Sequence, residues 1–220
     1  AGDDTLLGTD GADAFFIGGA GNDVITGGVY DLTTTDGSFD RVDYANEFGG
    51  SAVTVDLEAG TAIDTFGDTD TLSNIDAIRG TSQADSLTGS DNSAAPIGNK
   101  FEQFHGLGGN DVIDGGLGLD LVRYDNDAGF GGGAGVTVDF VNGTAIDGFG
   151  DTDTISNIEA VRGTNQADTF TGAGGSEQFY GLGGNDVIEG GGGSGDEVRY
   201  DFDTRVGGTL GVTVDLAAGT

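Results

Sequence analysis

Short acidic side chains recur at fixed distances along this chain, and they are the residues best suited to chemistry. The string "GLGGNDVID" occupies residues 106–114, and close copies occupy 181–189 ("GLGGNDVIE") and 18–26 ("GGAGNDVIT"). Each copy places a carboxylate at its sixth position, which we call position six, behind five residues of which three are glycine. Carboxylate and backbone carbonyl oxygens are the hard ligands that calcium prefers. The pattern therefore predicts turns that bind a cation.

The carboxylates follow a period of nine residues. Asp111 and Asp120 lie nine apart, and a branched aliphatic side chain, Ile113 or Val122, follows each of them two residues later. The same pairing of an acid with an apolar residue recurs along the chain with a few insertions. The candidate calcium-ligating acids are Asp4, Asp13, Asp23, Asp40, Asp85, Glu102, Asp111, Asp120, Asp153, Asp168, Glu177, Asp186 and Asp196.

The glycines before each acid have a conformational role. Glycine adopts positive φ at no steric cost, so a glycine-rich turn can aim its carbonyl oxygens at a cation. Asparagine at position five (Asn22, Asn110 and Asn185) also tolerates the left-handed region. The candidate calcium-binding glycines are Gly18, Gly19, Gly21, Gly106, Gly108, Gly109, Gly115, Gly116, Gly118, Gly181, Gly183 and Gly184.

Two consecutive nonapeptides are expected to form one coil, with a short strand on each side and a turn at each edge. Coils stacked about 4.8 Å apart would bring position-six acids of neighbouring coils together. Such contact between like charges is unfavourable unless a cation bridges them. The candidate pairs, 18 or 19 residues apart, are Glu102 with Asp120, Asp168 with Asp186, Asp4 with Asp23, and Glu177 with Asp196.

Some acids allow two interpretations. Glutamate replaces aspartate at Glu102, Glu159 and Glu177, which are either calcium ligands or solvated edge residues. The twin strings at 65–73 and 148–156 hold the acid pairs Asp68/Asp70 and Asp151/Asp153, which either ligate calcium or cap a turn.

The repeated string matches the pattern G-G-x-G-x-D-x-U-x and resembles the RTX (hemolysin-type) calcium-binding β-roll family. "GGAGNDVIT", "GLGGNDVID", "GGLGLDLVR" and "GLGGNDVIE" carry the resemblance, and weaker flanking units extend it over most of the chain. The resemblance implies a parallel β-roll with several Ca²⁺ ions between neighbouring turns. It also implies type I secretion, folding outside the cell and an extracellular or cell-surface location.

Composition agrees with folding that depends on a cation. The chain has 46 glycines and a formal net charge of -31, so without cations we expect a largely disordered chain. The lack of a basic face argues against nucleic-acid binding. No stretch approaches the length of a membrane span, so no membrane insertion is expected. Neither a metalloprotease helix motif nor a convincing Ser/His/Asp set is present, so we expect no enzymatic activity.

A longer repeat is superimposed on the nonapeptides. Residues 52–89 and 135–172 are nearly identical strings that start 83 residues apart, and a third copy begins at 211. Such self-similarity indicates a solenoid-like array. We therefore predict one continuous all-β roll over residues 1–220, a parallel β-solenoid with calcium-binding turns and short loop insertions. Its super-repeats are expected at about 1–65 (partial), 66–148 and 149–220 (partial).

Residues outside the period have their own predictions. The insertions 29–38, 90–100 and 126–135 should bulge from the roll, and Phe130 in the last of them is a candidate exposed contact. His105 is expected on the surface of a strand. Tyr44, Tyr124 and Tyr200, which follow strand strings, are expected to pack as a ladder.

Three functions are compatible with these patterns. The first is a calcium-rigidified segment of a secreted bacterial fibre, adhesin or surface protein. The second is an accessory module of a secreted enzyme that aids secretion, folding or substrate binding. A carbohydrate- or ice-binding module is a weaker third, because the threonines lie mostly in turns and repeat flanks. We further predict either head-to-tail self-association into a filament or that the chain is one excerpt of a longer continuous array, since "GT" at 219–220 followed by Ala1 would continue the repeat.

Overall fold

Short strands dominate the chain. The computed structural model describes residues 2–28, 39–91 and 101–200, which contain 20 β-strands and one short helix. Most strands have three residues, because each nonapeptide uses its remaining residues for a turn. The predicted all-β class with stacked parallel strands is confirmed.

The strands form two sheets. The first sheet has 12 strands in the order β1-β3-β7-β6-β5-β9-β11-β15-β14-β13-β17-β19, and the second has eight in the order β2-β4-β8-β10-β12-β16-β18-β20. The strands of the first sheet are β1 (Thr5–Leu7), β3 (Val24–Thr26), β5 (Thr54–Asp56), β6 (Thr61–Ile63), β7 (Thr69–Ser73), β9 (Ser86–Thr88), β11 (Val112–Asp114), β13 (Thr137–Asp139), β14 (Thr144–Ile146), β15 (Thr152–Ser156), β17 (Thr169–Thr171) and β19 (Val187–Glu189). The strands of the second are β2 (Phe15–Phe16), β4 (Arg41–Asp43), β8 (Ala77–Arg79), β10 (Gln103–His105), β12 (Leu121–Arg123), β16 (Ala160–Arg162), β18 (Gln178–Tyr180) and β20 (Glu197–Val198).

The chain winds between the two sheets, one nonapeptide per strand. β1 lies in the first sheet, β2 in the second and β3 in the first again, parallel to β1 with Leu6 opposite Ile25. Near the other end Phe170 lies opposite Ile188 in the parallel pair β17 and β19. These partners are 19 and 18 residues apart, so two nonapeptides make one coil, as predicted.

A single row of inward side chains from each sheet forms the core. The middle residue of most strands is fully buried, as are Ile113 of β11 and Val122 of β12. Burying one such side chain stabilises the fold by about 1.5–3 kcal/mol. The other members of the row include Ile25, Val42, Ile78, Leu87, Phe104, Val161, Phe170 and Phe179. The core is therefore thin, and the turns must contribute to stability.

Two antiparallel meanders interrupt the first sheet. β6 runs antiparallel to both β5 and β7, and β14 runs antiparallel to both β13 and β15. Only residues 57–60 separate β5 from β6, too few to cross to the other sheet and return parallel. Gly60 closes this turn with a φ of 67°, a left-handed conformation that suits glycine. Each meander adds two strands to the first sheet and none to the second, which explains their unequal sizes.

The third predicted insertion packs against the second sheet. It contains the helix α1 (Asp127–Phe130), which ends at Gly131 with a φ of 114°. Phe130 is 40% exposed, and the Arg79 guanidinium lies 5.3 Å from the centre of its ring, so this predicted contact is only partly free. The predicted loop at 29–38 lies outside the described residues, as does the predicted loop at 90–100 from residue 92 onward. The longest helix in the described part of the chain is far shorter than a membrane-spanning helix requires.

The prediction for His105 was wrong. This residue is 1% exposed, and its Nδ1 lies 3.0 Å from the side-chain amide nitrogen (Nδ2) of Asn126, which lies in the insertion just before α1. The insertion covers the outer face of β10, and a nine-residue period carries no information about that packing. Tyr44 and Tyr124 are buried as expected, whereas Tyr200 ends the described segment.

Candidate calcium sites

The position-six carboxylates form two columns, one at each edge of the roll. Most of these acids immediately precede a strand, Asp13 lies two residues before β2, and Asp70 and Asp153 are the second residues of β7 and β15. Stacking the strands therefore also stacks the acids. The first column precedes the first sheet and contains Asp4, Asp23, Asp70, Asp85, Asp111, Asp153, Asp168 and Asp186. The second column precedes the second sheet and contains Asp13, Asp40, Asp76, Glu102, Asp120, Glu159, Glu177 and Asp196.

In many of these carboxylates one oxygen accepts a backbone amide of the neighbouring coil. The amide N–H of Asp4 donates to Asp23 Oδ1 at 2.8 Å, and that of Asp168 donates to Asp186 Oδ1 at 3.1 Å. The same bond, at 3.2 Å, joins Glu102 to Asp120 Oδ1 and Glu177 to Asp196 Oδ1 in the second column. All four pairs expected from the spacing are therefore direct neighbours. Their binding of calcium stays a prediction.

The meanders interrupt the first column. Asp23 and Asp111 donate their amides to Asp70 Oδ1 at 3.0 Å and Asp153 Oδ1 at 3.1 Å, respectively. Beyond each meander the carboxylate meets an apolar residue instead, since the Val53 amide donates to Asp85 Oδ1 at 2.8 Å. The first column therefore consists of separate acidic segments.

The second oxygen of several column carboxylates has no partner. Asp23 Oδ2, Asp111 Oδ2, Asp120 Oδ2 and Glu177 Oε2 are buried and accept no hydrogen bond. Glycine at position one makes room for these atoms, because a Cβ at Gly106 would overlap Asp111 Oδ2. A buried anionic oxygen without a partner is costly. The donor set is hard and anionic, and it fits Ca²⁺.

Burial and mutual repulsion act on the column acids. Burial raises the pKa of Asp111 to about 8, with additional repulsion from Asp153 and Asp85. Burial likewise raises the pKa of Asp120 to about 8, with repulsion from Glu102 and Glu159. A divalent cation between neighbouring carboxylates would offset both causes.

Positions two and four of the turn adopt the left-handed region. Gly109 has a φ of 117°, and a Cβ there would overlap the carbonyl oxygen of Gln83 in the neighbouring coil. Position two accepts leucine, as Leu107 and Leu182 have φ of 71° and 65°. Asparagine at position five does not use the left-handed region that it tolerates, since Asn22, Asn110 and Asn185 have no positive φ. Instead, Asn110 Oδ1 accepts the Thr152 amide N–H at 2.8 Å and so joins two coils.

The structure decides one of the alternatives left open by the sequence. Glu102 and Glu177 are 0% and 4% exposed, so they are not solvated edge residues. Both oxygens of Glu102 already accept hydrogen bonds from Ser90, at 2.8 Å from its amide and 2.7 Å from its hydroxyl. Asp68 and Asp151 hold turns of neighbouring coils, since their Oδ2 atoms accept the amides of Gly21 at 2.9 Å and Gly109 at 3.0 Å, and calcium ligation by these acid pairs stays a prediction.

One column member was missed from the sequence. Asp76 was not among the candidates, although it precedes Ile78 by two residues as the period requires. The Asp40 amide donates to Asp76 Oδ2 at 3.0 Å. Its string "SNIDAIRG" lacks the preceding glycines, which is why the motif alone did not identify it.

Neither column is a preformed cage. Within residues 2–28, 39–91 and 101–200, no group of three or more acidic or histidine side chains is arranged to hold a metal ion. A calcium ion between two coils would therefore need backbone carbonyls of the glycine-rich turns as further ligands. The glycines named above remain candidate carbonyl donors.

Comparison with known protein families matches three segments of the chain. Residues 1–29, 98–131 and 161–196 match the RTX calcium-binding nonapeptide repeat, in four copies. Both meanders lie outside these segments. No curated protein sequence matches the chain.

Proposed function

Because this chain carries the RTX calcium-binding nonapeptide repeat, we propose that it is a β-roll folded and rigidified by Ca²⁺ within a secreted bacterial surface, fibre or adhesin protein. The repeat is a calcium-binding module and is not itself catalytic. The observation that carries this proposal is the set of buried carboxylate oxygens without partners in both columns.

Calcium would be held by the column carboxylates together with carbonyls of the glycine-rich turns. It would neutralise stacked negative charge and fasten each coil to the next. The metal-free chain keeps the repulsion between carboxylates and has only a thin core to oppose it. A ligand that binds the folded state alone stabilises that state by mass action. Calcium concentration would therefore decide whether the roll forms, and extracellular modules bind calcium with a Kd of about 10⁻⁴–10⁻³ M.

A structural role is supported by the shape of the repeat. Each coil contacts its neighbours through backbone pairing and column hydrogen bonds, so calcium at the edges would stiffen the array along its length. Extracellular location, type I secretion and a fibre or adhesin role are parts of this proposal.

Calcium titration of the chelated chain tests the proposal. Far-UV circular dichroism and small-angle X-ray scattering should show a disordered, expanded chain that becomes compact and β-rich at millimolar calcium. Magnesium at equal concentration is the control, because it prefers strict octahedral geometry and retains its water. A chain with the same spectrum and radius in chelator and in calcium would overturn the proposal.

A further inference from the structure

Two buried acids outside both columns meet where the insertion crosses a meander. Asp127 is the first residue of α1, and Asp147 directly follows β14. Both side chains are 0% exposed. Neither residue occupies position six, and Asp147 lies outside the matched repeat segments.

One oxygen of each carboxylate holds the β14–β15 turn in place. Asp127 Oδ2 accepts the amide N–H of Gly148 at 3.0 Å. Asp147 Oδ1 accepts those of Phe149 at 2.9 Å and Asp151 at 2.8 Å. The residue whose amide binds Asp127 is thus the immediate neighbour of Asp147, which brings the two carboxylates together.

The other oxygen of each carboxylate has no partner. Asp127 Oδ1 and Asp147 Oδ2 are buried and accept no hydrogen bond. Asp153 in the adjacent column cannot relieve them, because it is an acid whose oxygens accept from the Asp111 amide at 3.1 Å and the Tyr124 hydroxyl at 3.2 Å. Neither Asp127 nor Asp147 pairs with an arginine in the described part of the chain.

The first super-repeat has the same arrangement with more of its oxygens satisfied. Asp64 lies 83 residues before Asp147, and Glu47 follows Tyr44 by three residues as Asp127 follows Tyr124. Glu47 Oε1 accepts the Gly19 amide at 3.0 Å and its Oε2 accepts the Thr65 hydroxyl at 2.9 Å. Only Asp64 Oδ2 is left without a partner there.

The second super-repeat differs at the two positions that matter. Asp127 is shorter than Glu47, and Gly148 replaces Thr65, which removes the hydroxyl donor. A Cβ at residue 148 would lie 2.9 Å from the Asp127 Cβ, so glycine also permits the close approach. Because of these differences, two buried carboxylate oxygens, Asp127 Oδ1 and Asp147 Oδ2, have no hydrogen-bond partner.

We propose that Asp127 and Asp147 bind a Ca²⁺ ion separate from those of the nonapeptide columns, which fastens the insertion to the meander. Two carboxylates balance the charge of one divalent cation, and buried anionic oxygens are costly without such a partner. Calcium suits the position because it accepts irregular sets of oxygen ligands, including backbone carbonyls.

The test is a calcium count on the full chain. Equilibrium dialysis at saturating calcium, followed by elemental analysis, should find one ion fewer per chain in Asp147→Asn than in the wild type. Asparagine keeps an oxygen to accept the Phe149 and Asp151 amides, so the turn is retained. Glu189→Gln, an exposed acid on β19, is the control for loss of one charge and should keep the wild-type count.

Different results would overturn the Asp127/Asp147 site and the proposed function. An unchanged count in folded Asp147→Asn would overturn the Asp127/Asp147 site while the columns still bind calcium. A wild type that binds no calcium would instead overturn the proposed function. If Asp147→Asn fails to fold in calcium, Asp127→Asn is counted, since it leaves both acceptor bonds of Asp147 intact. An unchanged count in that variant overturns the site.

Discussion

A carboxylate at position six serves two purposes with its two oxygens. Asp111 Oδ1 accepts the Asp85 amide at 2.8 Å, which fixes the spacing of two coils, while Asp111 Oδ2 is buried without a partner. Asparagine at this position could keep the first contact but not supply the anionic ligand. Under the proposed function, the residue type at position six is therefore set by charge rather than by shape.

Asp111→Asn should raise the calcium concentration at the midpoint of folding several-fold. The loss of one anionic ligand removes a charge-assisted interaction of about 1.5–3 kcal/mol. Calcium titration followed by circular dichroism measures the midpoint. Glu189→Gln is the control and should leave it unchanged. Equal shifts in both variants would show that the net charge matters and the column does not.

The calcium-free fold should lose stability as pH rises. Burial raises the pKa of Asp111, Asp120 and Asp127 to about 8 and that of Asp70 and Asp153 to about 7, from an ordinary value of 3.8. Between pH 3.8 and about 8 the unfolded chain has released protons that the folded chain retains. Folded carboxyls bind more protons there, so the free energy of unfolding falls as pH increases.

Far-UV circular dichroism of the chelated chain at pH 5 and pH 8 checks this dependence, because the chain that is disordered in chelator at pH 8 should gain β-structure at pH 5. The fold should be more stable at pH 5, and calcium should bind more tightly at pH 8, where fewer protons compete for the carboxylates. Greater stability at pH 8 without calcium would contradict the prediction.

At the level of elements, the turn conformation determines how closely two coils can approach. The position-four glycines Gly21, Gly109 and Gly184 have φ of 128°, 117° and 135°. At each of them a Cβ would lie against a backbone carbonyl of the neighbouring coil. Coil spacing therefore depends on the absence of a side chain at this position.

Gly109→Ala should destabilise the calcium-loaded roll. The left-handed conformation alone costs an alanine about 1–2 kcal/mol, and the overlap with the Gln83 carbonyl adds to that cost. Gly129→Ala is the matched control, because a Cβ at this helical glycine meets open space and alanine favours helix. Urea unfolding in saturating calcium should show a loss only in Gly109→Ala. Equal stability of the two variants would contradict the conclusion that the close approach of Gly109 to the Gln83 carbonyl excludes a side chain.

At the level of the whole molecule, β1 pairs on one side only among the described residues. β1 pairs with β3 through bonds such as the Gly8 amide to the Thr26 carbonyl at 2.7 Å. Because successive residues of a strand alternate in direction, Thr5 and Leu7 direct their backbone groups away from β3. Unpaired edges of this kind are templates for pairing with another chain.

We expect rolls to associate through this edge in calcium. Leu7→Pro removes an edge N–H without touching the bonds to β3, and so should reduce association. Leu7→Ala is the control that changes the side chain but keeps the N–H. Light scattering and electron microscopy in calcium measure the assembly. A wild type that stays monomeric at high concentration would contradict the expectation. Residues 201–220, which the sequence placed at the other end of this contact, lie outside the described residues.

The repeating part of this protein follows from local patterns in its sequence. The period of nine sets the strand length, the single inward apolar residue and the neighbours in each column, such as Asp168 beside Asp186. These features depend on contacts between adjacent copies of one local unit. A pattern that repeats in sequence therefore repeats in space, and both the coil and its carboxylate columns follow from it.

The features that do not follow the nine-residue period depend on tertiary packing. The meanders change strand direction because residues 57–60 are too short a connection to cross between sheets. His105 is buried because the insertion folds back over β10. Asp127 and Asp147 meet because the same insertion crosses the β14–β15 turn. In each case the contacts are made with residues outside the nonapeptide unit. The nine-residue motif therefore does not predict them.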